Sequence, residues 1–221
     1  MSVTRRALLT GAAALALAPP ARAGRYVLRR PRPSPPLTAL ATWAPKRPGD
    51  LVIALHGHQA ADADPTWFSW LHAQPDFARR SLLVPAVDDP ATWASPEVLA
   101  AITGHLDALA PERTFLIGFS SGATYGFQVA AALSERLSGF AAMAGPLAHG
   151  VDVSRLKGVP VLMACMSEDT GVPCGAMDEG AAALTAAGVS VERHTFEGVG
   201  HECPLAVVSP VLSAWMGNQE R

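Results

Sequence analysis

From residue 50 onward the sequence alternates short apolar runs with amphipathic stretches, and that alternation leaves few folds open. The runs are Leu51–Leu55, Leu82–Val87, Thr114–Gly118, Phe140–Ala144, Val159–Met166 and Val189–Phe196. Each has the length of a strand, and most are apolar at consecutive positions rather than at alternate ones. A strand that is apolar throughout is covered on both faces, which is the signature of a mainly parallel sheet sandwiched by helices. Between the runs, the spacing predicts helices over Trp67–Arg80, Ser95–Leu109, Ser121–Leu137, Gly175–Ala187 and Ser209–Asn218. Ser95-Pro96-Glu97 is a start signal, with an N-cap side chain, proline at the first helical position and an acid in the first turn. Gly139 and Gly188 fall just past two predicted helices, where a left-handed cap is expected. The fold class is therefore α/β, a mainly parallel sheet with helices on both faces.

Upstream, Pro31–Pro36 interrupts Tyr26–Trp43, which reads as one or two edge strands joined by a proline turn, because proline is confined to sheet edges. No repeat and no Gly/Ser linker divides the 221 residues, so residues 24–221 are expected to form a single domain. The connection from Ala144 to Val159 has room for no more than a short helix, so an inserted lid domain is not expected there and the site should be shallow and open. Hydrophobic residues make up 49% and charged residues 16%, a balance that excludes disorder. Net charge is −2, and without Arg5, Arg6 and Arg22 of the first 23 residues the remainder holds 14 Lys+Arg against 19 Asp+Glu, or −5. Nucleic acid is thus not an expected partner, since phosphate backbones need clustered positive charge. The one basic run, Arg29, Arg30 and Arg32, reads as a solvated face.

Residues 1–23 read as an address. Arg5-Arg6 precede the apolar run Leu8–Ala18, and Ala21-Arg22-Ala23 offers small residues at the two positions a signal peptidase inspects. The paired arginines resemble a twin-arginine export signal. A run of about eleven residues is too short to span a hydrocarbon core of ~30 Å, so no stable membrane anchor is expected after cleavage near Gly24. The expected destination is the periplasm or the extracellular space.

Chemistry concentrates at Gly118-Phe119-Ser120-Ser121-Gly122, between an apolar run and a predicted helix. Gly-x-Ser-x-Gly in that context is a strand-turn-helix elbow, whose glycines admit a sharp turn that lifts the central hydroxyl above the sheet edge. Ser120 holds the central position, and Ser121 supplies the following backbone N–H, one of two expected donors to an oxyanion. A serine hydroxyl needs a base, and the base needs an orienting acid. Downstream, Glu168 and Asp169 sit just past a long apolar run, where functional groups gather in open α/β sheets. Asp169, in Asp169-Thr170-Gly171-Val172-Pro173, is preferred as the acid, with Glu168 its local rival. His201 lies in the glycine-rich stretch Gly198–Glu202, before the last helix, and preserves the order serine, acid, histidine. His149 breaks that order, and His194 falls within a strand.

The second oxyanion donor should follow the first central strand, where Leu55-His56-Gly57-His58-Gln59 places the His58 N–H. No third ligand of suitable spacing accompanies His56 and His58, so no metal and no cofactor are expected. Trp67, Phe68, Trp70 and Trp93 would wall the cleft or fill the core. Of three cysteines, Cys165 lies within an apolar run and reads as a buried core thiol. Cys174 and Cys203 follow the acid and base candidates by five and two residues. If those loops meet, a Cys174–Cys203 disulfide follows; the alternative is two unrelated small residues.

Leu55-His56-Gly57-His58, Gly118-Phe119-Ser120-Ser121-Gly122, Asp169-x-x-Val172-Pro173 and Gly200-His201 together resemble the α/β-hydrolase superfamily. More narrowly, residues 50–217 are similar to the lidless phospholipase/carboxylesterase group that includes acyl-protein thioesterases, and to secreted polyhydroxybutyrate-depolymerase and feruloyl-esterase-like proteins. The resemblance implies a triad of Ser120, Asp169 and His201, an oxyanion hole at His58 and Ser121, and a small-molecule ester as substrate. His58 departs from the smaller or apolar residue often found there, and the chain is shorter than most secreted depolymerases. A peptidase or amidase with the same triad, and an inactive hydrolase-fold binding protein, are the competing expectations.

Overall fold

In the computed structural model, the described residues are 24–29, 37–45, 49–58, 71 and 73–219. Their strands are β1 (Gly24–Arg29), β2 (Leu37–Pro45), β3 (Leu51–Leu55), β4 (Ser81–Val87), β5 (Thr114–Phe119), β6 (Gly139–Met143), β7 (Val161–Met166) and β8 (Val191–Phe196). Their helices are α1 (Pro96–Leu109), α2 (Ser121–Ala132), α3 (Cys174–Ala186) and α4 (Leu205–Gly217). The strands form one sheet in the order β1-β2-β4-β3-β5-β6-β7-β8. β1 and β2, and β2 and β4, pair antiparallel, whereas every pairing from β4 through β8 is parallel. The proline segment between β1 and β2, and the proposed leader at residues 1–23, lie outside the described residues.

The continuous apolar runs are explained by burial on both sides. In β3, Leu51, Ile53 and Leu55 belong to one core and Val52 and Ala54 to the other. In β7, Val161, Met163 and Cys165 face the first core while Leu162, Ala164 and Met166 face the second. The first core is closed by α1, α2 and α3 through Ile102, Phe127 and Leu184; the second is closed by α4 through Leu212 and Trp215. β8 carries four consecutive polar residues, Glu192–Thr195, because it is the edge strand, with partly or fully exposed side chains.

The helix signals resolve in detail. Ser95 caps α1 by accepting from the Val98 N–H at 3.4 Å, with Pro96 at the first helical position. Gly188 is left-handed, with φ +84°, as a residue past a helix should be. Gly139 differs: it opens β6, and a Cβ there would come within 2.7 Å of Trp215 Cη2, so the glycine serves close packing and not a cap. α2 stops at Ala132 and gives way to a 3-10 turn at Ser134–Arg136, short of the predicted Leu137. α4 starts at Leu205, four residues before the predicted Ser209, with Ser209 buried and Pro210 inside the helix. Of the helix predicted over Trp67–Arg80, Leu71 and Ala73 are helical and residues 75–79 form turns, while residues 67–70 and 72 lie outside the described ones. Between β6 and β7 the chain forms only a 3-10 turn at Val153–Leu156, so no lid domain is inserted there. No helix among the described residues is long and apolar enough to cross a membrane.

After β3 the chain moves to β4 on one side and returns to β5 on the other. That reversal leaves a crevice at the carboxyl ends of the parallel strands, the place where open α/β sheets bind ligands.

Candidate active site

Ser120 joins β5 to α2 with φ 55° and ψ −124°, a conformation that L-residues avoid. Backbone bonds hold it there. Its N–H donates to the Met143 carbonyl at 2.9 Å, and its carbonyl accepts from Ala123 and Thr124 at 2.9 and 3.0 Å. The flanking glycines are required by space: a Cβ at Gly118 would lie 2.4 Å from the Gly122 carbonyl oxygen. One at Gly122 would lie 2.4 Å from the carbonyl oxygens of both Leu55 and His56. The second contact also presses the end of β3 against the start of α2. No sequence motif singles out Gly145, where a Cβ would fall 2.3 Å from the Ser120 carbonyl oxygen.

The loop after β8 brings His201 over the elbow. Its Nε2 lies 2.8 Å from Ser120 Oγ, and its Nδ1 lies 2.6 Å from Asp169 Oδ2. A carboxylate can only accept, so Nδ1 carries the proton and Nε2 is free to accept the serine's. The imidazole also leans on the Phe119 ring, centroids 5.3 Å apart, a contact that sequence reasoning missed. Asp169 follows β7, and its second oxygen, Oδ1, accepts from the Gly171 and Val172 N–H groups at 2.8 Å each. Burial alone would raise the Asp169 pKa, but the Val172 amide, His201 and the Gly171 amide together outweigh it and hold it below the ordinary aspartate value. The Asp169 side chain is 0% exposed and that of His201 38%, so the acid is sealed while the base meets solvent. Glu168, the rival acid, is exposed, and its N–H donates to the Val199 carbonyl. His149 is exposed in a turn, and His194 lies on β8 with its ring on Phe196.

The loop after β3 runs alongside the elbow: a Cβ at Gly57 would come 3.1 Å from Ser120 Cβ. His58, next in the chain, is exposed. His56, by contrast, is buried, and both its nitrogens are used. Nδ1–H donates to the Gly57 carbonyl at 2.8 Å, and Nε2 accepts from the Val87 N–H at 3.3 Å. Its ring meets Trp93 edge-on at 5.0 Å. Burial pulls the His56 pKa below 6.5 against the opposing pull of the Gly57 carbonyl and Asp88. His56 is thus a neutral pin between the loop after β3 and the end of β4. Trp93 is wholly buried and belongs to the core, whereas Trp67, Phe68 and Trp70 lie outside the described residues. Ser121 is the first residue of α2, so its N–H has no partner within the helix.

The cysteine expectation is corrected. Cys174 is bonded to Cys165, not to Cys203, and Cys203 is free. The reason is the two-faced sheet. Cys165 and Cys174 lie on the side covered by α1–α3, and Cys203 packs on the α4 side. Cys165 is therefore a core residue, as read, but not a thiol. Burial pushes the Cys203 thiol up to about 12.

Residues 52–213 match the family model described as phospholipase/carboxylesterase. No curated protein sequence matches the chain. Among solved structures, esterase PE8 is 20% identical with a TM-score of 0.60, over 78% of this chain and 94% of that one. A ferulic acid esterase is 14% identical with a TM-score of 0.64, over 87% and 96%. A phospholipase/carboxylesterase from Dyadobacter fermentans is 16% identical with a TM-score of 0.62, over 81% and 96%. At these identities the likeness is one of fold, and that fold is the α/β-hydrolase.

Proposed function

The chain belongs to the phospholipase/carboxylesterase family, and from that premise we propose that it is a serine hydrolase that cleaves carboxylic esters through an acyl-enzyme on Ser120. The observation that carries the reading is the unbroken chain of hydrogen bonds from Ser120 Oγ through His201 to Asp169, at 2.8 and 2.6 Å. Ser120 Oγ attacks the ester carbonyl while His201 Nε2 takes its proton. The imidazolium that forms is stabilised by the buried Asp169 carboxylate, whose other oxygen is held by two backbone amides. Negative charge on the carbonyl oxygen meets the N–H groups of Ser121 and His58, each such donor supplying about 3 kcal/mol of transition-state stabilisation. The intermediate collapses, His201 protonates the departing alcohol, and a water activated by the same imidazole releases the acid.

Small-molecule esters are the substrates that fit a centre with no lid domain inserted between β6 and β7. The reading includes export, with residues 1–23 removed; cleavage after Ala23 would keep every described residue of the sheet, from Gly24 onward. Edman sequencing of protein recovered from the periplasm or medium should begin at or near Gly24, and an intact Met1 would refute export with processing. For the chemistry, a p-nitrophenyl ester length series is the test, with Ser120→Ala expected to lose turnover by about 10³-fold or more. Equal turnover in that variant would refute the assignment. Turnover of p-nitroanilides in preference to esters would make the enzyme an amidase, and no turnover of either would make it a binding protein.

A further inference from the structure

The disulfide closes a small ring around the acid. Between Cys165 and Cys174 runs the whole segment that presents Asp169, and the two amides that grip its carboxylate, at Gly171 and Val172, are inside the same ring. The first half of the segment is tied to its neighbours: Ser167 N–H donates to Phe196, Glu168 N–H to Val199, and Ser167 Oγ accepts from Gly198. The second half is more exposed, with Thr170, Gly171 and Pro173 open to solvent, and the disulfide ties its end back to β7. The orientation of Asp169 is therefore inherited from a loop whose closure is covalent.

The two sulfurs are not equivalent. Cys165 is wholly buried in β7, whereas Cys174 is half-buried and lies between exposed Pro173 and Gly175. An incoming thiolate thus reaches the Cys174 sulfur, and Cys165 is the leaving group. Around Cys165 Sγ stand the Arg193 guanidinium, with Nη2 at 3.8 Å, and the Thr195 hydroxyl at 3.5 Å. Arg193 is fixed by donating to the Met163 carbonyl at 2.7 Å and by an ion pair with Asp178 of α3. A cation and a hydroxyl beside the departing sulfur favour its thiolate.

We propose that Cys165–Cys174 is a thiol–disulfide exchange site that positions the acid, so that reduction by a small or protein dithiol lowers turnover by releasing the Asp169 loop. The proposal rests on the hydrolytic reading above. In the exchange, one thiolate of the dithiol bonds to Cys174 Sγ, the S–S bond breaks, and Cys165 leaves with the electron pair. The second thiol of the reductant then attacks its own mixed-disulfide sulfur and frees Cys174 as a thiolate. The dithiol ends as a disulfide, and two electrons reach the protein.

The test compares the oxidised full chain, the same chain treated with dithiothreitol, and the double variant Cys165→Ala with Cys174→Ala. Alkylation and mass spectrometry establish the thiol state, and circular dichroism establishes that each form is folded. We expect kcat for a p-nitrophenyl ester to fall by about tenfold or more in both disulfide-free forms, with KM within about twofold, as displacement of an orienting group should give. Cys203→Ser should respond to dithiothreitol as the wild type does. In Asp169→Asn, reduction should leave the residual kcat unchanged, because the group it releases is already disabled. Equal kcat in oxidised and reduced wild type would overturn the proposal, and so would an equal proportional fall in Asp169→Asn. Turnover that survives Ser120→Ala in the oxidised chain would instead bring down the hydrolytic reading, and the proposal with it.

Discussion

Ser120 is held at a positive φ by three backbone hydrogen bonds, and the proposed mechanism draws on its neighbour through the backbone alone. The Ser121 hydroxyl is buried and makes no hydrogen bond among the described residues. Replacing Ser121 by alanine should therefore leave kcat/KM for a p-nitrophenyl ester within a few-fold of wild type, in contrast with Ser120→Ala; a large loss would show that the hydroxyl takes part. His56 makes a different prediction, about stability. Its folded pKa is lowered, chiefly by burial, so below pH 6.5 the unfolded chain takes up a proton that the folded chain refuses. Its contribution is fully present above 6.5 and is lost as pH falls toward the folded value. Urea midpoints should decline over that window in the wild type and decline less in His56→Gln; parallel curves would contradict the assignment.

The elements meet at the elbow by near contact of backbone, and Gly122 is where β3 and α2 touch. Gly122→Ala should destabilise the fold by about 1–3 kcal/mol, the usual effect of overfilling a close-packed site, and should also lower turnover by displacing the loop after β3. Urea unfolding and kcat measured on one preparation would check both, and an unaltered protein would contradict the close approach. The strands from β3 to β7 could be read from the sequence because burial on both faces leaves an unbroken apolar run. The start of α4 could not: the predicted helix begins at Ser209, yet Pro204 occupies the cap and Ser209 is buried by tertiary packing. The placement of Ser120, Asp169 and His201 together was legible from motif and order, since each follows the carboxyl end of a strand of the parallel sheet. The cysteine partner was not, because it depends on which side of the sheet α3 covers. Nor was the role of His56, which requires knowing that β4 ends beside it.

At the scale of the molecule, the two edges of the parallel sheet divide the labour. The carboxyl ends carry Ser120, Asp169 and His201, while the opposite end carries an ionic clasp. Arg113, just before β5, grips Asp50 with two hydrogen bonds of 2.8 and 2.7 Å and reaches the Met216 and Gln219 carbonyls at 3.2 and 3.0 Å. Arg113→Ala should cost about 2 kcal/mol of stability by urea unfolding while leaving kcat unchanged, since charge-assisted bonds carry about that much. A variant with normal stability, or with impaired turnover, would contradict this separation. The central claim, that Ser120 is the nucleophile activated through His201 and Asp169, is tested most directly by peptide mapping after a fluorophosphonate is added to the folded enzyme. The account predicts one phosphonyl group, on Ser120, with labelling abolished in Ser120→Ala and slowed strongly in His201→Ala and Asp169→Asn. Label on Ser121 or elsewhere, or none on an enzyme that still hydrolyses esters, would contradict it.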